Sequence, residues 1–330
     1  MGSQQFAETL TLLHASVCIC TWNRSRSLSR TLQSILEAEI PEWLKWEIVV
    51  VDNNSTDGTM DVIALYSQKL PITAIFEAKS GLSNARNAAV NVAKGKYLIW
   101  TDDDVVVDRQ WIAAYMQAFI KYPDAAFFGG PIRAKFEVEP PSWLASGWES
   151  VRLPYCHNDL SNEEILLSFD NELLPFGANY AVSRLVQLKY LYDPKLGAGP
   201  NSRYHGEETG VMKEILATYK TGYWVPNASV QHINGVDRMN LNYIKKYYIK
   251  SGQTEVANYG ISGKRKLFGV PLWLWRKAIV TNFDYLCARL IRKPKVWLAK
   301  YAIYSVTLGQ LYEAKKIKSI SRNKRRFDKT

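Results

Sequence analysis

Cysteine is scarce in this chain: Cys18, Cys20, Cys156 and Cys287 are the only four in 330 residues, and none of their spacings is that of a metal-binding set. Cys18 and Cys20 share one face of a predicted strand and read as core, so nothing calls for an oxidising compartment. The common nucleotide signatures are also missing. No Gly-x-x-x-x-Gly-Lys-Ser/Thr occurs, which argues against a P-loop NTPase, and no Gly-x-Gly-x-x-Gly follows the first strand to support dinucleotide binding. The N-terminus has no basic region followed by a long apolar run, so no signal peptide is expected. Long hydrophobic runs are lacking as well. Val296 to Tyr312, which carries Lys300 and Gln310, is too short and too polar for a membrane span. Acidic residues nearly vanish from the C-terminal part: from Ile261 onward 18 Lys and Arg face 3 Asp and Glu, a net of +15 that leaves −4 for the first 260 residues. A basic C-terminal part on a mildly acidic body suggests an anionic surface as partner, lipid or nucleic acid. At 47% hydrophobic residues the chain can bury a substantial core, as one large domain or two smaller ones.

What is present is organised around Lys96 to Val107, an apolar run that reads as a buried strand and stops at Asp102, Asp103 and Asp104. Three unpaired buried carboxylates would be very costly, so they are either solvated in a turn or held by a cation. In an extended segment Asp102 and Asp104 point the same way and could share one hard divalent ion, with Asp103 turned elsewhere.

The preceding hundred residues alternate strand and helix. Strands are predicted over Ala15–Cys20, Glu47–Asp52 and Ile72–Glu77, and helices over Ser25–Glu39, from Met60 to Ser67, and over Leu82–Val92. This pattern points to a doubly wound, mostly parallel sheet. A helix over Trp111–Phe119 and a short strand over Ala126–Gly130 follow. Phe136–Cys156 is rich in proline and aromatics, which could stack on a sugar ring or fill a satellite core. Gly177 and Ala178 would let backbone approach a ligand closely. Glu207 and Glu208 stand at a helix N-terminus, where capping alone explains one of them. Gly222–His232 reads as one extended segment, and a lone His at its end is structural or a ligand. From Leu241 the pattern is helical, and Val296–Tyr312 is predicted as an amphipathic helix that lies on a membrane surface or packs on the body or a second subunit.

Carboxylates at Asp52, at Asp102 to Asp104 and at Glu207/Glu208 therefore fall at the exits of regular elements near one sheet edge. All-oxygen ligation suits Mg²⁺ or Mn²⁺, and His232 would tilt the choice toward Mn²⁺. A cation there would offset charge on a departing diphosphate, and a separate carboxylate could take a proton from a nucleophile.

Thr21-Trp-Asn-Arg24, Val50-Val-Asp-Asn-Asn-Ser-Thr-Asp-Gly-Thr59, Gly81-Leu-Ser-Asn-Ala-Arg-Asn87, Thr101-Asp-Asp-Asp104, Gly177-Ala-Asn179 and Gly206-Glu-Glu208, in this order, resemble glycosyltransferase family 2. That resemblance implies an α/β GT-A fold, the nucleotide-diphospho-sugar transferase fold, with a mostly parallel central sheet and a helical basic C-terminal extension. It implies a catalytic domain over 1–240, its nucleotide-binding half about 15–105 and its acceptor-side half about 106–240, and a helical, basic region over 241–330 with the option of membrane association. It implies an inverting, metal-assisted transferase using a nucleotide-sugar, UDP-linked by preference, and a saccharide or lipid-linked saccharide acceptor. The carried-over roles are donor binding for Thr21, Asn23, Arg24, Asp52, Asn54, Lys79, Arg86, Asp102, Asp103, Gly177, Ala178 and Asn179. Asp104, Asp102 and His232 would take the metal, with Mn²⁺ or Mg²⁺ as cofactor. Glu208 would be the base, with Glu207 the alternative, since the family's usual aspartate is replaced here by the longer Glu208. Residues 261–330 would face an anionic membrane surface, nucleic acid is not an expected partner, and the expected location is cytoplasmic or peripheral on the inner face of the plasma membrane. The alternatives are a nucleotidyltransferase acting on a sugar phosphate and an inactive nucleotide- or nucleic-acid-binding protein.

Overall fold

The computed structural model describes residues 13–168, 173–199, 204, 206–219 and 221–327, with side chains through 316. Residues 200–203 and 205, in the turn-rich stretch before Glu207, lie outside this description. The described chain falls into two compact units. One comprises the chain up to Lys135, the chain resuming at Cys156, and Gly206–Ile233; the other comprises Phe136–Tyr155, Tyr204 and the chain from Asn234.

In the first unit, β1 (Ala15–Thr21), α1 (Ser25–Leu36), β2 (Trp46–Asp52), α2 (Thr59–Ser67), β3 (Ile72–Phe76), α3 (Leu82–Val92) and β4 (Tyr97–Asp102) follow the predicted alternation within three residues at each end. Side-chain alternation along fully buried strands separates two cores. Val17, Ile19, Ile48, Val50 and Ile99 pack with Leu28, Leu32 and Ile35 of α1 on one face. Cys18, Val49, Val51, Leu98 and Trp100 pack with Ala85, Ala89 and Val90 of α3 on the other. The strands run parallel in the order β3-β2-β1-β4, with Thr21 level with Asp52 and Cys20 level with Asp102. Their C-terminal ends thus open at one edge, where such sheets bind ligands.

The rest of this unit is less regular. It comprises β5 (Val105–Val107), α4 (Trp111–Lys121), β6 (Phe127–Gly129), β7 (Ile132–Phe136), β8 (Leu166–Leu167), β9 (Asn179–Ser183), α6 (Arg184–Gln187), α7 (Glu207–Tyr219), β10 (Gly222–Trp224) and β11 (Val230–Asn234); the intervening α5 (Ser142–Ser146) belongs to the second unit. The eight-stranded sheet continues as β4-β9-β6-β10-β8, with β9 antiparallel to both of its neighbours, so the sheet is parallel in one half and mixed in the other. One sequence expectation is corrected here. Gly222–His232 is not one strand, because the chain turns after Trp224 and β11 joins a separate sheet of order β5-β11-β7. The Asp102 strand stops where the sequence expects: Asp103 and Asp104 form a turn, and β5 leaves the large sheet to pair antiparallel with β11. On its other edge β5 bonds to α1, where Thr31 Oγ1 donates to Val105 O and accepts from Val105 N, and Ser34 Oγ accepts from Val107 N. Side-chain hydroxyls thereby satisfy a buried strand edge that has no strand beside it.

The second unit is helical. It contains α8 (Leu241–Tyr259), a hairpin of β12 (Lys266–Leu267) and β13 (Val270–Pro271), α9 (Leu272–Ile291) and α10 (Pro294–Phe327). Phe136, Trp148 and Tyr155 form a ring cluster joined by Tyr243 of α8, and Trp143 meets Trp297 of α10. The aromatics of Phe136–Cys156 therefore fill a satellite core, which assigns that segment to this unit. The stripe expected over Val296–Tyr312 is internal, with Trp297, Leu298, Tyr301, Ser305 and Leu311 buried. Its helix crosses α8 at two glycines: a Cβ on Gly252 would lie 2.0 Å from Val306 O, and one on Gly309 would lie 2.0 Å from Ile249 O. No described helix is long and apolar enough to cross a membrane.

Asn179 locks the first unit. Its Oδ1 accepts from Trp111 Nε1 and Tyr115 Oη, and its Nδ2 donates to Pro131 O and Ala228 O, all within 3.0 Å. Asn179→Ala orphans two donors and two carbonyls in the core, and urea unfolding should register a loss of about 3 kcal/mol or more.

Candidate active site

The first two loops at the open sheet edge hold each other. Asn23, left-handed at φ 52, donates its N–H to Ser55 Oγ, and its Oδ1 accepts from Thr56 N. Asp57 accepts from Ser25 N at the start of α1 and from Thr59 N and Oγ1 at the start of α2. Asp52 is buried and accepts from Ser55 N. Asn53 bridges to the third loop, donating to Glu77 O and Lys79 O while accepting from Gly81 N. These are the local turns that Asx side chains make. Asn53 and Asp57 are organising residues that the sequence reading passed over, although their place in a run of turn formers was the available signal. Asn54 is exposed in a left-handed turn at φ 68, and the Lys79 side chain is exposed.

The carboxylates converge past these loops. Asp102 Oδ1 lies 3.7 Å from Arg86 Nη2. Arg24 Nη1 lies 2.9 Å from both Asp103 Oδ1 and Asp104 Oδ2. Asp104 Oδ1 lies 3.2 Å from His232 Nε2, a contact made because His232 stands opposite Val105 in the β5–β11 pair while Ile233 N donates to Asp104 O. Asp102, Asp104 and His232 each present one ligand atom, and those atoms lie within 4.8 Å of one another. Two carboxylate oxygens and an imidazole nitrogen suit Mn²⁺ or Mg²⁺, and three protein ligands leave positions for substrate oxygens. This arrangement selects the cation reading of the aspartates over an empty acidic turn.

A second carboxylate pair stands one guanidinium away. Arg86 is buried, stacks near Trp100 and Tyr192 at 5.8 and 5.3 Å, and places Nη1 3.5 Å from Glu207 Oε1. Arg86 thus spans the Asp102 cluster and the Glu207/Glu208 pair. Gly177 is small for this reason, since a Cβ there would lie 2.6 Å from Arg86 Nη2. Ala178 is buried and its carbonyl accepts from Thr101 Oγ1. Thr21 is buried beside Asp103, whose carboxyl it helps to hold down. Asn179 has every polar position committed to the core and therefore has none left for a ligand.

Burial raises the Asp102 carboxyl, with Arg86 opposing and Asp104 adding to the rise. Asp103 is pushed up to about 6 by burial, against the pull of Arg24. Glu208 is pushed up to about 8, first by burial and next by the charge of Glu207, with Arg86 opposing. Raised carboxylates retain protons in the folded state. The stability contributed by the Glu208 proton is therefore complete below its ordinary 4.5 and lost as pH rises to about 8.

A cation competes with these protons. At Mn²⁺ about a hundredfold over its dissociation constant, linkage supplies about 2.7 kcal/mol. Calorimetry should show a rise of melting temperature with Mn²⁺ that is larger at pH 8 than at pH 5.5 and absent in Asp104→Ala. Gly177→Ala should keep the fold yet displace Arg86, and the Mn²⁺-induced shift should shrink with it.

Comparison with known proteins agrees with this geometry. The sequence profile described as Glycosyl transferase family 2 matches residues 16–178. Succinoglycan biosynthesis protein ExoM of Rhizobium meliloti (strain 1021) is 26% identical over 245 residues, 73% of this chain and 74% of that protein. Validoxylamine A glucosyltransferase of Streptomyces hygroscopicus subsp. limoneus is 34% identical over 106 residues, 31% of this chain and 23% of that enzyme. Among solved structures, S. aureus TarS 1-349 in complex with UDP-GlcNAc superposes with a TM-score of 0.54 at 14% identity, covering 90% of this chain and 93% of that one. Mannosyltransferase PcManGT from Pyrobaculum calidifontis, in complex with GDP-Man and Mn²⁺, does so with 0.56 at 17% identity, covering 91% and 87%. At these identities the structural likeness establishes the fold. With the motifs in order along the sheet edge and the acidic cluster at the end of β4, the chain has the GT-A fold and over residues 16–178 matches glycosyltransferase family 2.

Proposed function

We propose that the protein transfers a sugar from a nucleotide-diphosphate donor, a UDP-sugar foremost, to a hydroxyl of a saccharide or lipid-linked saccharide, with inversion at the anomeric carbon and Glu208 as base. The observation that carries this reading is the placement of Arg86, which sets a cation-type cluster on one side and a carboxylate pair on the other. Mn²⁺ or Mg²⁺, held by Asp102, Asp104 and His232, supplies charge that offsets the donor diphosphate.

The other steps belong to the chain's own residues. Glu207, paired with Arg86, keeps that guanidinium in place. Glu208, pushed up to about 8, is close to working pH, as a general base should be. It takes the acceptor hydroxyl proton as the oxygen attacks the anomeric carbon. The bond from that carbon to the diphosphate oxygen breaks on the opposite face, and the electron pair leaves with the nucleotide diphosphate. Alignment of the three atoms is what the pocket contributes. In this reading Asp52, buried at the level of Thr21, binds the nucleobase, and Thr21, Arg24 and Asp103 bind the adjoining part of the donor. The similarity to a succinoglycan biosynthesis protein supports a polysaccharide precursor as acceptor.

Donor hydrolysis and binding with a panel of UDP-, GDP-, dTDP- and CDP-sugars tests the reading. One nucleotide-sugar should bind in Mn²⁺ or Mg²⁺ and not in EDTA, and Asp104→Ala should abolish that binding. Glu208→Gln should bind it with turnover reduced by a factor of about 100 or more. Wild-type turnover should rise with pH through a value above the ordinary carboxylate range. Metal-independent binding, or a Glu208→Gln variant of undiminished rate, contradicts it.

A further inference from the structure

The cationic second unit carries an apolar face that is exposed among the described residues, and it is not on the helix whose stripe the sequence singled out. Helix α9 packs inward through Leu274, Ala278 and Ala288. Its opposite side presents Ile279, Phe283 and Leu290 at 70%, 66% and 81% exposure, with Trp273, Val280 and Leu286 about half exposed. Positions 279, 283, 286 and 290 recur at i, i+4, i+7 and i+11, one continuous stripe along a helix about 30 Å long.

The hairpin before α9 extends this face. Phe268 stands at its tip, 73% exposed and left-handed at φ 51, a conformation uncommon for a bulky residue and costly to hold. The hairpin is fixed to the helix start, for Leu272 N donates to Arg265 O, Trp273 Nε1 to Ser262 O and Trp275 Nε1 to Leu267 O. An exposed phenylalanine thus stands on a hairpin bonded to the start of α9, where Trp273 is also about half exposed.

Charge identifies the occupant. Lys264, Arg265 and Lys266 are exposed at one end of the face, and Arg292, Lys293 and Lys295 at the other. Between Lys264 and Lys295 the only acidic residue is Asp284, and it lies 3.4 Å from Lys300. A second copy of the chain on this face would bring two such cationic rims together. An anionic bilayer presents the opposite charge to the rim and hydrocarbon to the stripe.

We propose that α9 and the Phe268 hairpin form an interfacial membrane-docking surface, lying in the headgroup region of an anionic bilayer without crossing it. The inference rests on the second unit alone and does not depend on the transferase reading.

The test is flotation of the full chain with vesicles of phosphatidylcholine containing one third phosphatidylglycerol, against vesicles of phosphatidylcholine alone. The wild type should float with the anionic vesicles, stay behind with the neutral ones, and lose flotation in high salt. Ile279→Glu/Phe283→Glu and, separately, Phe268→Ser should retain the wild-type circular dichroism and melting temperature, because these side chains are solvent-facing. Each should lower the bound fraction, the double variant by about tenfold or more. Wild-type protein that stays behind with anionic vesicles, or variants that float as it does, overturn the proposal. So does a wild-type dimer that Ile279→Glu/Phe283→Glu converts to monomer in sedimentation velocity, since a second copy would then own the face.

Discussion

Five carboxylates gathered at the mouth of one sheet repel one another, and the site is built around holding them together. Asp102, Asp103, Asp104, Glu207 and Glu208 cannot all be buried as bare charges. Arg24 grips two of them, and Arg86 lies between a third and Glu207. His232 meets Asp104 from a separate sheet. Each of these partners comes from a different element, so neutralising the charge also fixes the relative position of β4, β11, α1, α3 and α7. The residual strain appears as carboxyls raised above their ordinary range, which is the electrostatic setting in which a divalent cation binds well and a glutamate becomes a useful base.

Much of this was legible in the sequence because it follows from local periodicity. The alternating strands and helices up to Asp102 have clear period-2 and helical patterns, and their ends coincide with clusters of Asp, Asn, Ser and Gly. What could not be read was where the chain changes sheets. The turn at Asp103 and Asp104 sends β5 away from the large sheet, and that departure is set by hydroxyls on α1 and by β11, contacts far apart in sequence. Strand continuity along Gly222–His232 was therefore overestimated. Asn179 shows the converse difficulty. A family motif placed it near the donor, whereas its hydrogen bonds to Trp111, Tyr115 and two carbonyls hold the scaffold on which Gly177 and Ala178 sit.

In the C-terminal unit, hydropathy alone misdirected attention. The stripe of α10 is the better helical pattern on paper, yet it is consumed by crossing α8 at Gly252 and Gly309. Helix α9 is apolar on both sides, so its period is blurred, and only packing separates the face it buries from the face it leaves exposed.

The central claim is that Asp102, Asp104 and His232 form one cation site that joins the two sheets. Anomalous diffraction from crystals grown with Mn²⁺ and UDP addresses it most directly. The account predicts a single anomalous peak bonded to Asp104 and His232 and adjacent to Asp102, with the Arg24 guanidinium turned from Asp104 toward the diphosphate. A peak elsewhere, or UDP ordered in the site with no peak beside His232, would contradict it.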